Sequence, residues 1–90
     1  MYQFHLSTRF KRDFKKCKSQ NKDISKFKEV MNFLEFGYHL PQHNKDHALI
    51  GNWKGYRECH IAPDWLLIYR IHEADKIIEL SRIGSHSDLF

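Results

Sequence analysis

Ninety residues, 41% of them hydrophobic, are enough for one small folded core and too few for two domains. No apolar run approaches the roughly 20 residues that span a bilayer, and charges stand where a signal peptide would carry its apolar core, so a cytoplasmic protein is expected. Fifteen Lys and Arg outweigh eleven Asp and Glu for a net charge of +4, and the two cysteines, Cys17 and Cys59, form neither a disulfide framework nor a zinc spacing.

The alternation of Tyr2, Phe4 and Leu6 with Gln3 and His5 predicts a half-buried strand. Ser7 or Thr8 then caps a helix whose Phe10, Phe14 and Cys17 form an apolar stripe among lysines and arginines. After the polar break Ser19-Gln20-Asn21-Lys22, Asp23 caps a second helix with Ile24, Phe27, Val30, Met31 and Leu34 on one face, stopped at Gly37. Up to Lys28 there are nine basic residues against Asp13 and Asp23, so the positive field comes from the N-terminal third. A polyanion such as RNA, or an acidic partner protein, fits that field, and a merely solubilising helix face accounts for it equally well.

From Tyr38 to Asn52 periodicity is lost, and Pro41 and Gly51 mark a long loop. From Tyr56, period two puts Glu58 and His60 on one face and Arg57, Cys59 and Ile61 on the other. The turn Ala62-Pro63-Asp64 leads into the apolar run Trp65 to Tyr69, which together read as a β-hairpin. A second turn at His72 to Asp75 and a strand over Lys76 to Ile83 complete the order β-α-α-β-β-β. The fold class expected is α+β, a single domain over residues 1–90 with two N-terminal helices packed on a mainly antiparallel sheet.

Seven histidines raise the question of a metal, but Pro41 interrupts the helical spacing of His39, His43 and His47, and no metal site or cofactor is expected. His60, Asp64, Arg82 and His86 point elsewhere. An RNA phosphodiester is cleaved by its own 2′-hydroxyl when one group removes that proton, a second protonates the leaving 5′-oxygen and a cation stabilises the phosphorane; histidine, carboxylate and arginine supply those roles. Arg82 shares strand parity with the apolar Ile78 and Leu80, so a twist, a bulge or an end position must carry its guanidinium out of the core. For any one of them taken alone, a surface ion pair or an incidental histidine is the favoured reading, and it is their joint presence that points to the chemistry. Trp53, Tyr56, Trp65 and Phe90 flank the set and could stack on bases, with Trp53 and Tyr56 leaning to the core. Lys54 beside Gly55 could contact phosphate through its charge and the exposed backbone, and reads equally as an ordinary lysine before a strand bulge.

The runs Lys45-Asp-His-Ala-Leu49, Trp53-Lys-Gly-Tyr-Arg-Glu-Cys-His60, Pro63-Asp-Trp-Leu-Leu-Ile-Tyr69, Arg82-Ile-Gly-Ser-His86 and Leu89-Phe90 resemble, in order and over essentially the whole chain, the YafQ-type toxins of the RelE/ParE superfamily. The resemblance implies a RelE-like, microbial-ribonuclease-like fold and a metal-independent endoribonuclease that cuts mRNA in the ribosomal A site. It also implies neutralisation by a cognate antitoxin. Carried over by position, it makes His47, His60, Asp64 and His86 acid and base candidates, Arg82 a phosphate or transition-state ligand, and Trp65 and Phe90 RNA contacts. Glu58 joins the acid and base candidates, standing where relatives carry Asp. His86 is taken as general acid, with the base open among His60, His47, Asp64 and Glu58. The alternative class is a non-catalytic toxin or binding module that grips RNA or a protein target such as gyrase.

Overall fold

The computed structural model describes residues 1–90 and contains a five-stranded sheet in the order β1-β5-β4-β3-β2, with β1 parallel to β5 and every other pair antiparallel. Chain order is β1 (Gln3–Leu6), α1 (Thr8–Ser19), α2 (Ile24–Glu35), β2 (His47–Ala48), β3 (Arg57–Ala62), β4 (Trp65–His72), β5 (Ile77–Gly84) and α3 (His86–Leu89). The expected α+β order holds, with two additions. The long loop contains the two-residue strand β2, and the last residues form a single helical turn.

Both long helices begin as their caps dictate. Ser7 Oγ accepts the Phe10 amide at 3.0 Å, and an Asp23 carboxylate oxygen accepts the Ser25 amide at 3.1 Å. α2 ends at Gly37, whose φ of +72° lets its amide reach the Leu34 carbonyl while the Tyr38 amide reaches that of Phe33, a paired closure that residues with a Cβ rarely permit. Phe10 and Cys17 of α1 and Val30 and Leu34 of α2 are buried, and Phe14 meets Phe27 with ring centroids 4.8 Å apart.

These helices cover one face of the sheet, burying Cys59, Ile61, Trp65, Leu67, Tyr69, Ile78, Leu80 and Ile83. Each fully buried Leu or Ile there contributes roughly 1.5–3 kcal/mol. Trp65 belongs to this core: it is 1% exposed and its indole N–H points to Cys17 Sγ at 3.2 Å. The opposite face has a smaller apolar patch, Leu66 and Ile68 under Leu89 of α3, with Leu49, Trp53 and Tyr56 against it.

Two bulges shape that second face. On β3, His60 pairs with Leu66 but Ala62 with Trp65. On β5, Leu80 pairs with Tyr69 but Arg82 with Ile68, so two residues, Ser81 and Arg82, separate the helix-facing Leu80 from the helix-facing Ile83. The bulge is what moves Arg82 off the core parity and onto the face of Ile68.

Candidate active site

Across the face away from α1 and α2, the register brings the ionisable residues into two neighbouring rows. His47 pairs with Glu58, Glu58 with Ile68 and Ile68 with Arg82; in the next row His60 pairs with Leu66 and Leu66 with Gly84. Cross-strand partners share a face, so His47, Glu58, His60 and Arg82 are presented together although they come from three different strands.

Glu58 sits at the centre. Its side chain is only 7% exposed, with Oε1 at 3.6 Å from His47 Nε2 and 3.9 Å from His60 Nε2. A carboxylate so shielded is an effective counter-charge for either ring when that ring takes a proton. His47 is fixed from behind, its Nδ1 lying 2.8 Å from the Lys45 carbonyl oxygen, which turns Nε2 toward the site. His60 has Nδ1 at 3.3 Å from the Pro63 carbonyl oxygen, and its own carbonyl accepts from the buried Asn44 side chain at 2.7 Å.

His86 arrives from the other end of the face. Gly84 ends β5, and Ser85 opens α3 with a reciprocal cap: its Oγ accepts the Asp88 amide at 3.2 Å, while Asp88 Oδ2 accepts the Ser85 amide at 3.1 Å. Lys16 of α1 reaches Asp88 Oδ1 at 3.1 Å, and Leu89 packs on Leu66 and Ile68, so the short turn is tied down by both charge and burial. The Ser85 amide, Lys16 and the Ser85 side chain together hold the Asp88 carboxyl at about 2, below its ordinary 3.8. The His86 ring stands 5.9 Å from that of His60 and 6.4 Å from that of Phe90, which is 61% exposed.

Asp64, at the β3–β4 turn, faces His86. One oxygen, Oδ1, accepts the His86 backbone N–H at 3.1 Å and lies 3.0 Å from ring Nδ1, and these contacts hold the carboxyl below the usual carboxylate range. The pairing leaves Nε2 of His86 as the outward nitrogen. Asp64 is therefore placed to orient His86.

Arg82 is on the same face but its guanidinium turns to the sheet margin. Nε donates to Asp13 Oδ2 at 2.7 Å and Nη2 to Oδ1 at 3.3 Å, while the Ile83 amide also donates to Oδ2 at 3.2 Å. The Nη1 donors are not engaged by Asp13.

Seven of the nine residues singled out from sequence thus border one surface: His47, Glu58, His60, Asp64, Arg82, His86 and Phe90. Lys54 is exposed in the turn before β3, where Gly55 takes φ +94°. Trp65, expected to contact RNA, is on the opposite side of the sheet with no exposed surface to stack on, because it alternates along β4 with Leu66, which pairs with His60 on the site face. Sequence reasoning missed the residues that hold the others: Asp13, Asn44, Asp88 and Asp46, whose carboxylate accepts from Arg57 at 2.8 Å and from the Tyr69 hydroxyl and so fixes the loop before His47. No group of three or more His, Cys, Asp or Glu side chains is arranged to hold a metal ion.

The family model described as bacterial toxin of type II toxin-antitoxin system, YafQ, matches residues 2–90. The mRNA interferase toxin YafQ of Escherichia coli K12 is 41% identical over 85 residues, covering 93% of this chain and 90% of that protein. Among solved structures, a copper-bound mutant toxin from Helicobacter pylori has TM-score 0.93 at 41% identity with full coverage of both chains. YafQ from Escherichia coli BL21(DE3) has TM-score 0.92 at 36% identity, covering all of this chain and 99% of the other. The Escherichia coli DinJ–YafQ complex contains a chain with TM-score 0.89 at 37% identity, with the same coverage.

Proposed function

The chain belongs to the YafQ family of bacterial toxins from type II toxin-antitoxin systems, and from that premise we propose how its surface cleaves RNA. It is an endoribonuclease, an mRNA interferase like its curated relatives. Its reaction, in our reading, is metal-independent attack of a 2′-hydroxyl on the adjacent phosphodiester. The observation that carries this reading is the pair of imidazoles of His60 and His86, with rings 5.9 Å apart and a carboxylate associated with each.

His60 takes the 2′-hydroxyl proton, and the nearby Glu58 carboxylate stabilises the imidazolium that forms. The 2′-oxygen bonds to phosphorus, the bond from phosphorus to the 5′-oxygen breaks, and His86 Nε2 gives its proton to that leaving oxygen. Asp64, on Nδ1, fixes the ring so that Nε2 faces outward. Arg82 supplies positive charge to the phosphorane through the donors that Asp13 leaves free. His47 adds a second ring at Glu58, and Phe90 stacks on a base beside His86. The products carry a 2′,3′-cyclic phosphate and a 5′-hydroxyl.

The substrate is mRNA in the ribosomal A site, and the cellular inhibitor is a cognate antitoxin. The DinJ–YafQ complexes support the second statement, since the relative in them has this fold over the same length. No helix is long and apolar enough to cross a membrane.

Cleavage of a defined mRNA by the purified protein in EDTA, with and without ribosomes, tests the reading against His86→Ala. Cleavage that survives EDTA, leaves cyclic phosphate ends and falls by about 10²–10⁴ in the variant is the expected result. Absence of cleavage under both conditions, with growth inhibition kept by the variant, would replace it with the binding-module alternative.

A further inference from the structure

α1 carries its charge in two separate stripes, and only one borders the site. At about 100° per residue, Arg9, Arg12, Asp13 and Lys16 fall on one side of the core stripe of Phe10, Phe14 and Cys17, while Lys11, Lys15 and Lys18 fall on its other side. The first stripe runs along the margin of β5. There β1 has ended, its last partner being Leu80, so the part of β5 beyond Leu80 faces the helix instead of a strand. Asp13 of this stripe bonds Arg82, and Lys16 bonds Asp88 of α3.

Between Arg9, Arg12, Asp13 and Arg82 lies an open cleft of about 390 Å³ lined by those four residues alone. Three guanidinium groups face one carboxylate, and that carboxylate is occupied by Arg82 and by the Ile83 amide. Arg9 and Arg12 are exposed and make no ion pair. The cleft therefore keeps an uncompensated charge of about +2, arranged as planar forks that suit phosphate oxygens.

Resting on the ribonuclease reading above, we propose that this cleft binds a phosphodiester of the substrate strand flanking the one that is cut. Arg82 joins the two positions. Its backbone lies two strands from Glu58, roughly 10 Å at the usual strand spacing, and its side chain closes the cleft on the other side. A strand whose reacting phosphate lies between His60 and His86 thus reaches Arg9 and Arg12 by passing Arg82. Asp13 is a positioning residue in this arrangement, holding the guanidinium between the two phosphates without touching either.

Binding of an uncleavable, fully 2′-O-methylated single-stranded RNA, measured over a range of salt concentrations, tests this with the intact protein. Every phosphate of a single strand that a variant no longer neutralises should reduce the slope of log affinity against log salt by about 0.7, so Arg9→Gln with Arg12→Gln, which removes the contact to one phosphodiester, should reduce it by about that amount. Lys11→Gln with Lys15→Gln removes the same charge from the other side of the same helix, away from the cleft, and should keep the wild-type slope. Equal slopes for the two double variants would overturn the inference, since the helix would then act only through its diffuse field. Cleavage of mRNA by the wild type of the same preparation, with and without ribosomes, separates the two readings: with cleavage and equal slopes, or with cleavage and no binding of the free strand, only the cleft falls, and with cleavage under neither condition the ribonuclease reading falls as well.

Discussion

A single oxygen of Asp64 meets His86 twice, at the backbone nitrogen and at ring Nδ1, so the carboxylate sets both where α3 begins and which way its imidazole turns. Asp64→Asn keeps an acceptor of the same shape and removes the charge that stabilises a protonated ring. Single-turnover cleavage should slow by about 10–100-fold, less than the loss expected for His86→Ala. A variant as fast as wild type would show that His86 needs no such orientation.

Asp13 and Arg82 form the most shielded Asp–Arg pair bordering the site, with side chains 18% and 12% exposed. Asp13→Asn should destabilise the fold by about 1–3 kcal/mol, because Arg82 and the Ile83 amide both lose a charged acceptor. Chemical denaturation of Asp13→Asn, Arg82→Gln and the double variant should give a loss for the double variant smaller than the sum of the singles. Additive losses would mean that the two residues act independently.

The carboxyls of Asp64 and Asp88 are both held below their ordinary range, Asp64 by His86 and Asp88, at about 2, by the Ser85 amide and Lys16. A depressed folded-state pKa favours the folded form above the unfolded value, and that contribution is lost as pH falls through the folded value. Attachment of α3 should therefore be complete above the ordinary 3.8 of Asp88 and should weaken as pH falls toward about 2. Hydrogen exchange at the Leu89 amide, which donates to the Ser85 carbonyl, should accelerate over that window while exchange in β4 does not.

Gly84 is the joint between β5 and α3. A Cβ placed there would lie 3.1 Å from both Cβ and Oδ2 of Asp88. Gly84→Ala should therefore push the helical turn outward and move His86 with it, lowering kcat by about tenfold or more while the melting temperature stays near that of wild type, as expected when a catalytic group shifts by a fraction of an ångström. Unchanged kcat would show that α3 absorbs the methyl group without moving the ring.

Much of this architecture is legible in the sequence because it depends on local patterns. The caps Ser7 and Asp23, the stop at Gly37, and the alternation that puts Glu58 and His60 on one face all survive into the structure. β2 is not legible, since two residues carry no period and His47 becomes a strand residue only by pairing with Glu58. The cap of α3 is present as the spacing of Ser85 and Asp88 with His86 between them, but a single turn has no apolar stripe to mark it as a helix. Trp65 escapes correct placement because β4 is apolar on both faces from Trp65 to Tyr69, so parity along that run does not say which residue meets solvent. Conversely, the need for Arg82 to leave the core by a bulge can be read from its parity, whereas Asp13, the one carboxylate in α1, gives no sign of being its partner.

The ties that complete the working surface join distant parts of the chain. Asp13 meets Arg82 across 69 residues, and Lys16 meets Asp88 across 72. Such closures are among the last to be compensated as a chain folds, because the loop entropy must be met before the contact returns anything. A molecule in which these ties are open therefore lacks the assembled surface on which Arg82 and His86 join His47, Glu58 and His60. Toxicity is in this sense a property of the finished fold alone, and loss of cleavage on unfolding should coincide with, or precede, loss of the sheet.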